Sequence, residues 1–260
     1  MIKSIVKSKK LIAILSVFIL GAMVLPANAA SWAQQSSGTS INLKDGYFID
    51  ANNGWVVGDS GKILKTTNGG ASWTNSNSGT ETYLKSVYFV DANTGWVAGD
   101  KGEVRKTTNS GSTWTKLNTG TDKFIRSIQF VNSTTGWLVG EGPTIRKTTN
   151  GGTSWSSQEP GTSNDLYAAY FIDANTGFAV GSGGKIIKTT NGGTTWTTQN
   201  SGTGNSLYGV HFIDANNGWV VGSSGTIRRT TNGGANWTQQ NSGTGNGLNS
   251  VYFVNNTTGW

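Results

Sequence analysis

An all-β repeat fold is predicted for this chain from three observations. A Gly-Trp pair recurs at a constant step, the interval from Trp55 to Trp96, and ends at Trp55, Trp96, Trp137, Trp219 and Trp260, with Phe178 in the same slot of the fourth unit. A second tryptophan series keeps that period: Trp32, Trp73, Trp114, Trp155, Trp196 and Trp237. So does a phenylalanine series, Phe48, Phe89, Phe130, Phe171, Phe212 and Phe253. A period of ~40–45 residues with several short strands per unit is the mark of β-propeller blades.

One unit, Glu81 to Thr121, justifies each element in turn. Leu84 to Val90 is rich in β-branched and aromatic residues and reads as a first strand. Asp91-Ala92-Asn93-Thr94-Gly95 is turn chemistry, because Asp and Asn side chains bond nearby backbone N–H groups and glycine tolerates positive φ. Trp96 to Gly99 follows as a second strand, and Asp100-Lys101-Gly102 turns into a third over Glu103 to Thr108. Asn109-Ser110-Gly111 then turns into the fourth, Trp114 to Leu117. Other units carry Asn-Gly at this last turn, a strong hairpin signal. Four antiparallel strands make one blade.

A lone four-stranded sheet leaves both faces bare, whereas blades set around an axis cover one another. Each large apolar side chain buried this way stabilises by ~1.5–3 kcal/mol, so the three aromatic series are the expected glue. Aligned aromatics also exclude the low-complexity disorder that so much Gly, Ser, Thr and Asn would otherwise suggest. The repeat domain is expected over 30–260, with units at about 40–80, 81–121, 122–162, 163–203 and 204–244 and a partial unit at 245–260. Trp32 takes a fourth-strand slot, and Leu248 to Trp260 supply a first strand and the start of a second. The chain is therefore expected to be a piece of a longer protein of six or seven blades.

The segment 1–29 reads as a secretory signal peptide. Lys3, Lys7, Lys9 and Lys10 precede an apolar run from Leu11 to Pro26, and Ala27-Asn28-Ala29 supplies small residues for cleavage. No membrane span is expected after cleavage. Four of the twenty Lys and Arg lie in that segment, and the sixteen left stand against thirteen Asp and Glu, a balance of +3. So small an excess gives no case for nucleic-acid binding. The absence of cysteine excludes disulfides, thiolate metal sites and a cysteine nucleophile. The expected location is outside the cytoplasm: extracellular or cell surface, or the periplasm or thylakoid lumen of a photosynthetic host.

The segment Thr66-Thr67-Asn68-Gly69-Gly70-Ala71-Ser72-Trp73 resembles the Asp-box, or BNR repeat, with Asn where Asp is commoner. Its architectural residues are Asn68, Gly70 and Trp73, then Asn109, Gly111 and Trp114, Asn150, Gly152 and Trp155, Asn191, Gly193 and Trp196, and Asn232, Gly234 and Trp237. Together with Phe48-Ile49-Asp50-Ala51-Asn52-Asn53-Gly54-Trp55-Val56-Val57-Gly58, repeated from Phe212 to Gly222, the chain is similar to the photosystem II stability/assembly factor family. That resemblance implies an exported, non-catalytic propeller that acts as a protein-interaction or assembly scaffold. The Asp-box also occurs in sialidases and xyloglucan-degrading hydrolases, so a carbohydrate-binding or hydrolytic propeller is the alternative.

Catalysis in a repeat protein should appear as departures from the repeat, and glycoside hydrolysis needs two positioned carboxyl groups. The acids that depart are Glu81, Glu103, Asp122, Glu159 and Asp165, and they are expected to be solvated loop residues. His211 takes a slot otherwise held by Tyr47, Tyr88, Tyr170 and Tyr252, which makes it an aromatic stand-in. Asp214-Ala215-Asn216-Asn217-Gly218 lacks the late bidentate acid of a calcium loop, so no metal and no cofactor is expected. Lys65, Lys106, Lys147, Lys188 and Arg229, with Arg105, Arg146 and Arg228 beside three of them, are expected to cover apolar surface with their stems while their heads reach water.

A second cation series changes character along the chain. Lys44, Lys85 and Arg126 give way to Tyr167, Tyr208 and Asn249 near the start of each first strand, the strand nearest the axis. A cationic arc facing an aromatic arc is the candidate binding face, suited to a protein partner or a cell-surface glycan.

Overall fold

The computed structural model describes residues 33–260. The expected signal peptide (1–29) and the Trp32 strand slot lie outside the described residues. Five four-stranded antiparallel sheets follow one another, each with its strands side by side in chain order. In blade two these are Leu84–Phe89, Gly95–Gly99, Val104–Thr107 and Thr115–Leu117. The first strands of the other blades are Leu43–Phe48, Ile125–Phe130, Leu166–Phe171 and Leu207–Phe212. Residues 248–260 begin a sixth blade, with an antiparallel bridge from Phe253 to Gly259 and paired backbone bonds between Tyr252 and Trp260. Neighbouring first strands touch, and the five of them line one axial cavity together with residues 249–252 of the sixth unit, which makes the assembly a propeller.

The aromatic series meet at the blade seams. The tryptophan of each second strand lies flat on the next blade's phenylalanine, with centroids 3.6 Å apart for Trp55–Phe89, 3.5 Å for Trp96–Phe130 and 3.7 Å for Trp137–Phe171. Phe178–Phe212 and Trp219–Phe253 continue the row at 4.1 and 3.8 Å. The box tryptophan of the same blade closes the phenylalanine's edge, as Trp114 does against Phe89 at 6.0 Å and 86°. Phe89, Phe130, Phe171 and Phe212 are thus each held on a face and an edge, the two geometries ring quadrupoles favour. The glycine before each tryptophan is forced by the same ring, since a Cβ on Gly95 would lie 2.5 Å from Phe89.

Polar groups complete the seam. The indole N–H groups of Trp55, Trp96 and Trp137 each donate, at 3.1 Å, to a carbonyl in the next blade's Asp-box, those of Ser110, Gly151 and Gly192. Phe178 has no N–H, and there Lys188 Nζ donates to the equivalent Gly233 carbonyl at 2.7 Å. Inside the box, Asn68 Oδ1 accepts the Ser72 N–H, and Thr66 Oγ1 accepts the Gly70 N–H, both at 2.9 Å. In the turn after the first strand one side-chain oxygen serves both backbone N–H groups. Asp50 Oδ1 and Asn132 Oδ1 each accept the N–H groups two and three residues on, so Asp and Asn interchange there.

Two expectations are corrected here. The heads of Lys65, Lys106, Lys147, Lys188 and Arg229 do not simply reach water: they lie 5.1–5.6 Å from the ring centroids of Trp55, Trp96, Trp137, Phe178 and Trp219. Ring quadrupoles attract such cations, and partial burial lowers the Lys106 pKa. Glu103 is not a solvated loop acid. It is 3% exposed and takes Arg105 Nε at 2.6 Å and Lys116 Nζ at 3.0 Å, because it opens the third strand between two outer cations.

Candidate functional site: the axial mouth

The five candidate face residues share one structural cause. In every complete blade the register between first and second strands slips by one residue, at Lys44, Lys85, Arg126, Tyr167 and Tyr208. Each is the extra residue of a β-bulge, a device that leaves one residue out of the ladder and re-aims its side chain. All five, with Asn249, line the axial cavity. The repeat therefore delivers one variable side chain per blade to a common mouth.

Aromatic neighbours interleave with the cations. Lys44 Nζ lies 5.3 Å from the Tyr83 ring, and the Arg126 guanidinium sits between Phe124 at 4.8 Å and Tyr167 at 5.0 Å. Tyr83 meets Phe124 edge-on at 5.4 Å, and Tyr167 lies 5.5 Å from Tyr208. Tyr83 and Phe124 escaped the sequence reading. Their signal was their place two residues before a bulge, where the other units have Asn42, Asp165 and Ser206.

The acids of the mouth are engaged. Asp59 pairs with Lys44 at 3.5 Å and accepts from Asn42. Asp165, expected to be a solvated loop acid, lies 4.0 Å from Arg126 and accepts the Gly142 N–H at 2.9 Å. Asp45 stands where blades two and three carry serine. Its carboxylate accepts the backbone N–H of Val87 at 3.0 Å and of Gly46 at 2.9 Å, which ties blade one to blade two.

The cavity is floored by Tyr47, Tyr88, Gln129, Tyr170, His211 and Tyr252, one residue per inner strand. Burial pushes the phenols of Tyr47, Tyr88 and Tyr170 above the usual tyrosine pKa, so they stay protonated. His211 fills the tyrosine slot as expected, 5.0 Å from Tyr170 and 4.6 Å from Tyr252, and its Nδ1 accepts the Phe253 N–H at 3.3 Å. Gln129 makes the same kind of bond, with Oε1 accepting the Phe171 N–H at 2.6 Å. Among the described residues, no group of three or more His, Asp or Glu is arranged to hold a metal ion.

Comparison with known proteins agrees with this architecture. The family model described as photosynthesis system II assembly factor YCF48 matches residues 25–122, 114–198 and 196–260. No curated protein sequence matches. A solved YCF48 bound to D1 peptide is 19% identical, with a TM-score of 0.52 over 86% of this chain and 90% of that one. YCF48 from Cyanidioschyzon merolae is 20% identical at TM-score 0.52, over 88% of this chain and 95% of that one. The GH74 enzyme of Niastella koreensis is 20% identical at TM-score 0.60, over 77% of this chain but 40% of the enzyme. At such identities the likeness to solved structures is one of fold. The family match, which runs through every blade, decides the affiliation: this chain belongs to the photosystem II assembly factor family typified by YCF48.

Proposed function

We propose that this protein is an exported, non-catalytic scaffold that holds a segment of a protein partner across its axial mouth. The observation that carries this reading is the bulge in every complete blade, which gathers Lys44, Lys85, Arg126, Tyr167 and Tyr208 at one opening. Cations interleaved with rings suit an extended segment with carboxylates on one side and apolar groups on the other. The family offers a precedent, since one YCF48 structure holds a D1 peptide. The leader-like segment 1–29 supports a site outside the cytoplasm, the thylakoid lumen or periplasm if the host is photosynthetic.

A glycan ligand is the second reading, favoured by the likeness to GH74 enzymes and by the Tyr167–Tyr208 pair as a stacking surface. Hydrolysis would need two carboxyl groups roughly 5–9.5 Å apart with room for sugar or water between them. Asp45, Asp59 and Asp165 are instead occupied by backbone amides or cations, which supports binding without turnover.

The test is capture of exported host proteins by the immobilised protein, alongside a panel of polysaccharide resins. The double variant Lys85→Glu, Arg126→Glu is expected to weaken protein capture at least about tenfold, because like charges then face the partner's carboxylates. Undiminished capture would remove the mouth from consideration. Retention on a polysaccharide with no protein captured would replace the protein partner with a glycan.

A further inference from the structure

We propose that the cavity beneath the mouth is an anchor pocket for one aliphatic side chain, of valine to leucine size, carried by the segment that crosses the mouth. This rests on the reading of the mouth as a site for a protein partner and adds what that partner must present.

Blade four makes the pocket. In blades two, three and five the residues just after the bulge are buried, as with Ser86 and Val87, Ser127 and Ile128, and Gly209 and Val210. Ala168, Ala169 and Tyr170 are all partly open, although they belong to an equally inner strand. The cause is a departure from the repeat. The slot of Ala169 holds Val87, Ile128, Val210 and Val251 in four of the other units and Gly46 in blade one, so blade four lacks the branches that fill this layer in those four; Gly46 is nonetheless buried, whereas Ala169 is partly open. The whole axial cavity measures about 140 Å³, and the portion beside blade four is lined by Ile128, Ala169, Val210 and Val251, with Tyr167 and Tyr208 on the same lining.

Its chemistry selects an apolar occupant. Two polar groups of the wall are already used: the Ser86 hydroxyl accepts the Ile128 N–H at 3.3 Å, and Asp45 accepts the Val87 N–H. The floor phenols are kept neutral by burial. Ile128, Ala169, Val210 and Val251 carry no charge, so a charged side chain set against them, away from the cations of the mouth, would bear a desolvation penalty. An apolar cavity of ~150 Å³ holds a molecule the size of benzene, which sets the upper limit on the side chain and excludes an indole. Gln129 and His211 pin neighbouring inner strands on either side of blade four, so the pocket exists before the ligand arrives.

The probes are capped nine-residue peptides of glycine and glutamate that differ only at the central residue: Gly, Val, Leu or Trp. Binding is measured by fluorescence anisotropy. On the unmodified protein, the Val and Leu peptides should bind at least about tenfold more tightly than the Gly and Trp peptides, the discrimination a hydrophobic pocket gives for a few carbons. Ala169→Ile restores the residue type that blade three carries as Ile128, and it should bring Val and Leu down to the Gly level while leaving the Gly peptide unchanged. Ala169→Val repeats the test with the side chain of Val87, should the larger one disturb folding. Equal affinity for all four peptides, or a preference that survives both substitutions, overturns the pocket. Lys85→Glu, Arg126→Glu separates the two levels: it should weaken all four peptides alike. If it leaves all four untouched, or if no peptide binds the unmodified protein, the reading of the mouth fails and the anchor falls with it.

Discussion

Two positions four residues apart on each inner strand obey opposite rules. The phenylalanine is the same in six successive units, from Phe48 to Phe253, whereas the bulge residue runs Lys44, Lys85, Arg126, Tyr167, Tyr208 and Asn249. Phe89, Phe130 and Phe171 are each enclosed by two tryptophans and a glycine, and Phe212 by Phe178, Trp237 and a glycine, which leaves no room for another shape. The bulge residue stands outside the ladder at an opening, where side chains of quite different chemistry fit equally well. Each strand thus carries one residue fixed by packing and one that packing leaves free to vary.

The largest test of that contrast is at the seam. Trp137 is 1% exposed, stacked on Phe171 and bonded to Gly192, so Trp137→Ala is expected to cost about 3–5 kcal/mol of unfolding free energy in a denaturant titration. A loss below about 1 kcal/mol would mean that the seams are not what holds the blades. Next comes the box. Thr148 Oγ1 accepts the N–H groups of Asn150 and Gly152, and Thr148→Val strands a buried donor at about 1–3 kcal/mol, measured in the same way. The smallest effect belongs to the mouth: Tyr208→Asn, which places there the residue type of Asn249, should change stability by less than about 1 kcal/mol, since it removes mainly the ring contact with Tyr167. A cost matching that of Trp137→Ala would make the bulge residues architectural and erase the distinction.

Much of the architecture was legible because it repeats. Blade two shows the agreement: strands read at Leu84 to Val90 and Trp96 to Gly99 are found at Leu84–Phe89 and Gly95–Gly99. Local turn chemistry sets these limits, so local sequence contains them. The seam lysines were harder to read, because a cation over an indole and a cation in water look identical along a strand; only the cross-strand pairing of Lys106 with Trp96 separates them. Glu103 was misread for a related reason, since its partner Lys116 arrives from the fourth strand. Tyr83 and Phe124 were missed because they lie before the bulge, in a stretch where the repeat has no fixed residue type.

Sequence alone determined the repeat length, the strand order within a blade, the aromatic glue and the varied series near the start of each first strand. All of these follow from side-chain period and turn preference, which act over short stretches of chain. Only the tertiary structure decided that the varied residues share a mouth, that Arg126 lies between Phe124 and Tyr167, and that Ala169 opens a pocket. Those facts depend on strands a full repeat apart converging on one axis, and a distance between separate blades is fixed by packing, not by any local preference along the chain.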